Sequence, residues 1–170
     1  MRQGLVHLYW GDGKGKTTAA MGLAVRALGA GWRVTVVQFL KNGQSAELAS
    51  LQKLGASVYS GKADTKFTVY MTDAERAAAS VLHTQLLQQA LAKPCVLLIL
   101  DEACAVWQLA MVEPDVLKRA VLERPAGREV VLTGRDPADW MRAAADYSTE
   151  MRCCKHPYDT GAIARKGVEF

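Results

Sequence analysis

Apolar and polar positions along the chain fall into two alternating textures. Leu5 to Trp10, Arg33 to Leu40, Ala56 to Tyr59, Cys95 to Leu100, Glu129 to Thr133 and Tyr147 to Met151 are short apolar or β-branched runs that read as strands. Between them lie segments of helical periodicity. These are Lys16 to about Leu28, Ser45 to Leu54, Thr72 to about Leu91, a helix from Glu113-Pro114-Asp115 to near Arg124-Pro125, and a short one opened by Asp136-Pro137. Thr72 with Glu75 forms a capping box, and Pro114 suits a first helical position. Gly55 closes the helix before it in the left-handed conformation.

The first helix is apolar nearly all round, through Ala19, Ala20, Met21, Leu23, Ala24, Ala27 and Leu28, which predicts that neighbours cover it well. Arg33–Leu40 and Cys95–Leu100 are almost continuously apolar, as strands covered on both faces are. Strand–helix alternation then predicts a mostly parallel sheet with right-handed crossovers and helices on both faces. Trp107 and Trp140 fall on helices and read as core residues.

The chemistry concentrates after the first strand, in Gly11-Asp12-Gly13-Lys14-Gly15-Lys16-Thr17-Thr18. Strand, glycine- and lysine-rich turn and helix in that order make a P-loop, whose backbone N–H groups and helix N-terminus receive a polyphosphate. Lys16 is placed to reach the phosphates and Thr17 to ligate Mg²⁺. Trp10 stands where the general motif has its first glycine. The fold expected is therefore α/β, a P-loop (RecA-like) sheet, with residues 1–170 forming a single nucleotide-binding domain.

Ligands in such sheets bind beyond the carboxyl ends of the strands. Asp101-Glu102 ends an apolar strand, where a carboxylate can hold Mg²⁺ directly or through water and its neighbour can hold metal or act as a base. Arg135, and after it Lys41, could neutralise phosphate charge or simply be solvated. Phe67 and Tyr70 are the only aromatics in a polar stretch, read as tucked into the core edge or as ligand contacts. His156 has no partners at metal-ligand spacing, so a structural hydrogen bond is its expected role.

The net charge of +4 comes without a long basic run, so the partner expected is a small anion and not a nucleic acid. No apolar run is long enough to cross a membrane, and the N-terminus lacks a signal-peptide layout. Of four cysteines, Cys95 sits in a buried-looking strand; the Cys153-Cys154 pair could be redox-active or bind metal only with a second ligand cluster. A cytoplasmic, reduced protein is expected.

The blocks Gly11–Thr18, Val36-Val37-Gln38-Phe39-Leu40-Lys41, Leu100-Asp101-Glu102 and Leu132-Thr133-Gly134-Arg135 resemble one family along nearly the whole chain. So does the tail, Glu150-Met151-Arg152, Lys155-His156-Pro157-Tyr158-Asp159 and Ala164 to Phe170. That family is the P-loop ATP:corrinoid adenosyltransferases, which also lack the first motif glycine. The resemblance implies transfer of the 5′-deoxyadenosyl group of ATP to a cobalt(I) corrinoid with release of triphosphate, in adenosylcobalamin synthesis or salvage. It implies Lys16, Glu102 and Phe67 as catalytic residues, and Gly11, Asp12, Gly13, Lys14, Gly15, Lys16, Thr17, Thr18 and Arg135 as ATP-binding residues. Thr17, Glu102 and Asp101 would hold Mg²⁺, a reductase would supply electrons, and the chain would form a homodimer. Phe67 matches a family aromatic that covers the lower corrinoid face, whereas the family's usual tryptophan nearby is Val69 here, unless Tyr70 substitutes. Asp12 replaces a family asparagine. The competing reading is a P-loop ATPase or small-molecule kinase with Glu102 activating water or a hydroxyl; a non-catalytic corrinoid or nucleotide carrier is a third.

Overall fold

Each apolar run becomes a strand, and the strands pair in parallel throughout. The structure, a computed structural model, describes residues 4–61, 71–157, 161 and 163–168. Among these, β1 (Val6–Trp10), β2 (Val34–Gln38), β3 (Ser57–Ser60), β4 (Leu97–Asp101), β5 (Glu129–Gly134) and β6 (Tyr147–Glu150) form one sheet in the order β3-β2-β4-β5-β1-β6. Every pairing is parallel, which sharpens the expected "mostly parallel" sheet. The connecting helices are α1 (Lys16–Gly29), α2 (Ala46–Lys53), α3 (Asp73–Leu91), α4 (Ala103–Gln108), α5 (Pro114–Leu122) and α6 (Asp139–Ala144).

Alternation along each strand divides the core into two layers. Leu98 and Leu100 of β4 join Leu8, Phe39, Val130 and Leu132 on the face covered by α3, α4, α5 and α6. Leu97 and Ile99 join Val34, Val36 and Val131 on the other face, against Ala20, Met21, Ala24 and Ala27 of α1 and Leu51 of α2. All five residues of β2 and of β4 are buried, as continuous apolar strands in the middle of a parallel sheet should be.

The capping box opens α3 as expected: the Glu75 N–H donates to Thr72 Oγ1 and the Thr72 N–H to the Glu75 carboxylate. Three expectations need correction. Helix α1 is amphipathic, with Gly22, Val25 and Arg26 exposed; its many alanines mimicked an all-apolar helix because alanine favours helices without needing burial. Cys95 precedes β4, which starts at Leu97, and is only half-buried. Trp107 and Trp140 are half-buried too, meeting edge to face at 5.2 Å on the rim of the α-helical layer.

His83 of α3 is buried beneath the end of β2. Its Nδ1 donates to the Met111 carbonyl at 2.8 Å, while Nε2 accepts the Leu40 N–H at 3.2 Å. That pattern needs a neutral ring, and burial pulls the imidazole pKa below its ordinary value of 6.5, opposed in part by the Met111 carbonyl. A base whose folded pKa is lowered gives stability that is complete above the unfolded pKa and is lost as pH falls below it. Denaturant midpoints should therefore fall as the pH is taken below about 6.5. In His83→Gln, which has no proton to gain, the midpoint should fall less over the same range.

Candidate active site

The turn between β1 and α1 places the first amides of a helix at the carboxyl edge of the sheet. Gly15, at φ 119°, is the N-cap of α1, a conformation a side chain would strain. The first-turn amides have no intrahelical carbonyl partner and face the loop, ready for an anion. Lys16 Nζ donates to the Gly13 carbonyl at 2.7 Å, which holds the ammonium inside the loop it is expected to serve.

Gly11 and Gly13 have a different role from the one expected of them. The Gly11 N–H donates to the Arg135 carbonyl and the Gly13 N–H to the Met151 carbonyl, at 3.0 and 2.7 Å. These two amides are thus engaged by protein, and the glycines are required by close approach. A Cβ on Gly11 would lie 2.4 Å from the Met151 oxygen, and one on Gly13 would lie 2.8 Å from the Arg152 carbonyl. The chain leaving β6 is a strut beneath the loop. Gly11 also has φ 109°. Gly11→Ala should therefore cost ~2 kcal/mol or more in chemical denaturation, through both a strained φ and a backbone clash.

Two other loop residues are tied down in the same way. Asp12 Oδ1 accepts the Cys153 N–H at 2.9 Å, and this bond is the main reason its carboxyl pKa is lowered. Its charge is thereby directed at the strut. Lys14 Nζ donates to the Val168 carbonyl at 2.8 Å, so its side chain reaches the tail in this structure. Trp10, in place of the motif glycine, donates its indole N–H to Ser148 Oγ at 3.0 Å and carries the Arg142 guanidinium over its ring at 4.0 Å.

Opposite the loop stands a buried carboxylate. Asp101, fully buried at the end of β4, accepts four bonds. Thr17 Oγ1 and Thr133 Oγ1 donate to Oδ1 at 2.8 and 2.7 Å, and Gln38 Nε2 and Lys41 Nζ donate to Oδ2 at 3.2 and 3.0 Å. Strand order explains the set. The β5 strand lies between β1 and β4, so Thr133 must bridge the loop strand and the acidic strand, while β2 flanks β4 and delivers Gln38 beside Asp101. Lys41 follows Leu40, a non-glycine residue at φ 55° whose N–H His83 holds. Thr133 was expected at this end of the sheet with Gly134 and Arg135; Gln38 was not picked out as a site residue, and the signal available was a polar residue at the end of a mostly apolar strand.

Glu102 sits one residue on, at φ 63°, as the N-cap of α4, with its N–H donated to Thr133 Oγ1 at 2.9 Å. A left-handed conformation costs a non-glycine residue about 1–2 kcal/mol, and such strain collects at functional sites. Burial raises the Glu102 pKa and the nearby Asp101 charge adds to it, against Lys41, Lys16 and Arg135. Burial also lowers the Lys16 pKa, opposed chiefly by Glu102. Arg135 is itself exposed, but its charge acts on both groups and on Asp12, so it belongs to the same field.

The donor set fits a hard cation. Thr17 spends its proton on Asp101, which leaves its oxygen lone pairs for a metal, and Glu102 offers a carboxylate beside it. Asp101 was expected to hold Mg²⁺ directly or through water. Its two oxygens already accept four donors, an arrangement that suits orienting Thr17 better than direct ligation.

The family model for ATP:corrinoid adenosyltransferase BtuR/CobO/CobP matches residues 2–170. The chain belongs to this family. A corrinoid adenosyltransferase of Pseudomonas aeruginosa is 37% identical over 171 residues, covering 99% of this chain and 84% of that protein. Those of Salmonella typhimurium and Escherichia coli K12 are 31% and 28% identical, each over 99% of this chain and 86% of theirs. In this adenosyltransferase the structure brings together Lys16, Thr17, Asp101, Glu102 and the loop glycines. Phe67, Val69 and Tyr70 lie outside the described residues, as do Tyr158 and Asp159. Cys153 and Cys154 are exposed free thiols.

Proposed function

We propose that the P-loop of this corrinoid adenosyltransferase holds the triphosphate of ATP as a leaving group. Cobalt(I) of the corrinoid substrate attacks the ribose C5′. A cobalt–carbon bond forms, the C5′–oxygen bond breaks, and its electron pair leaves on the triphosphate. The observation that supports this reading best is Lys16 folded onto its own loop beside the first-turn amides of α1, with Thr17, Asp101 and Thr133 locked behind it.

The nucleophile is the metal of the substrate, so the protein needs no base. Its work is to hold C5′ in line and to stabilise charge gathering on the triphosphate. The α1 amides and Lys16 bind the phosphates, with Arg135 adding positive potential from the end of β5. Thr17 and Glu102 would hold Mg²⁺, which supplies charge neutralisation on the phosphate oxygens. Asp101 orients Thr17, and its bonds to Gln38 and Lys41 keep that carboxylate fixed. Phe67 is assigned to the lower corrinoid face on family resemblance. On the same ground the working form is a cytoplasmic homodimer supplied with electrons by a reductase; no described helix is long and apolar enough to cross a membrane.

Anaerobic incubation with Mg-ATP and chemically reduced cobalamin tests the reading. Adenosylcobalamin and triphosphate should appear in equal amounts. Formation of ADP with an unchanged corrinoid spectrum would return the site to the ATPase or kinase alternative.

A further inference from the structure

A second basic site lies at the opposite end of the strands from the P-loop. A cavity of ≈ 330 Å³ opens between the end of α3, the outer face of α5 and the turn that leads into β5. Leu91, Val116 and Ala120 give it an apolar wall, and Arg119, Arg124 and Arg128 bring three guanidinium groups against the single carboxylate of Glu123.

These arginines differ in what they already bind. Arg124 is committed: it donates to the carbonyls of Val121 and Gly4 and stands 3.8 Å from the Asp146 carboxylate. Arg119 is exposed at the rim, with one bond to the Asp115 carbonyl. Arg128 is only 8% exposed, and its Nε, itself buried, finds no hydrogen-bond partner among the described residues. A buried guanidinium N–H seldom lacks an acceptor, because it then gives up hydration and receives nothing in return. A planar, always-charged fork lining a cavity is suited to a bidentate oxyanion.

We propose that this cavity is an oxyanion-binding site, taking a phosphate or carboxylate group carried on a compact, partly apolar body. The volume corresponds to roughly ten water molecules' share of liquid, enough for a small organic anion. It is separate from the ATP site. Arg128 precedes β5 and Thr133 is near the far end of that strand, so the two stand roughly 17 Å apart at 3.3 Å per residue.

Backbone amide NMR of the full chain distinguishes this site from the P-loop, which also takes phosphate. Titration with inorganic phosphate, and separately with succinate, should shift saturably the amides of residues 119–128 with at least one probe. Arg128→Met should abolish those shifts and leave the phosphate-induced shifts of residues 13–18 intact. Arg119→Gln, an exposed change that spares folding, should weaken the 119–128 response at least several-fold and serves if Arg128→Met does not fold. No shift at 119–128 with either probe would overturn the proposal. So would shifts that persist unchanged in the variants, which would mean an adventitious ion only.

Discussion

Replacing Lys16 with methionine should lower kcat/KM for ATP by about 10²–10³-fold, the loss that follows removal of one preorganised charge aimed at a developing anion. The chain should still fold. Among the described residues Lys16 Nζ has one hydrogen-bond partner, the Gly13 carbonyl, and lowering of its pKa by burial means that its charge is a burden to the fold. Methionine keeps the length of the stem and removes the burden, so denaturant stability should hold or rise while activity collapses. Steady-state kinetics beside urea unfolding checks both halves. A variant that loses stability in step with activity would make Lys16 a structural residue.

Removing the Asp101 carboxylate should be the most damaging change to the fold within the site. Asp101→Ala leaves the Thr133 hydroxyl buried without its acceptor, leaves the Gln38 amide only its 3.5 Å bond to Glu47, and frees Lys41, which is 28% exposed and can turn to water. Unpaired buried donors, more than the freed lysine, set a loss of ~3 kcal/mol. Activity should fall as well, since Thr17 loses the bond that orients it. Asp101→Asn tests the charge separately. Its carbonyl can still accept from Thr17 and Thr133, but its NH₂ would face the Gln38 and Lys41 donors, so a smaller stability loss is expected, with a smaller loss of activity because the bond that orients Thr17 is kept. Thermal or urea unfolding of the pair, read beside kcat, separates the two roles.

Much of this was visible in the chain. A strand, a glycine–lysine turn and an alanine-rich helix marked the proposed phosphate site, and Leu100-Asp101-Glu102 its acidic partner, because both motifs are contiguous. Thr133 was expected at that edge with Gly134 and Arg135, but its bond to Asp101, and the presence of Gln38 beside it, follow only from strand order. Nothing local in Glu129–Gly134 says that it is inserted between the loop strand and the acidic strand. The loop glycines were read correctly as necessary but for a reason one step removed. Gly11 and Gly13 make room for the backbone at Met151 and Arg152, more than a hundred residues away, and such a close approach leaves no trace in spacing. Cys95 was misplaced because the apolar run starts before the ladder does; hydrophobicity marks what can be buried, and register decides what is.

The central claim is that the P-loop here holds a leaving group and that the bond cut is C5′–O. ATP carrying ¹⁸O in the bridge between C5′ and the α-phosphorus tests it most directly, in a single anaerobic turnover with reduced cobalamin and mass analysis of the phosphate product. Cleavage at carbon leaves the label in triphosphate, and full retention there is the expected result. Label remaining on the nucleoside, or appearing in ADP, would mean attack at phosphorus and would contradict the account.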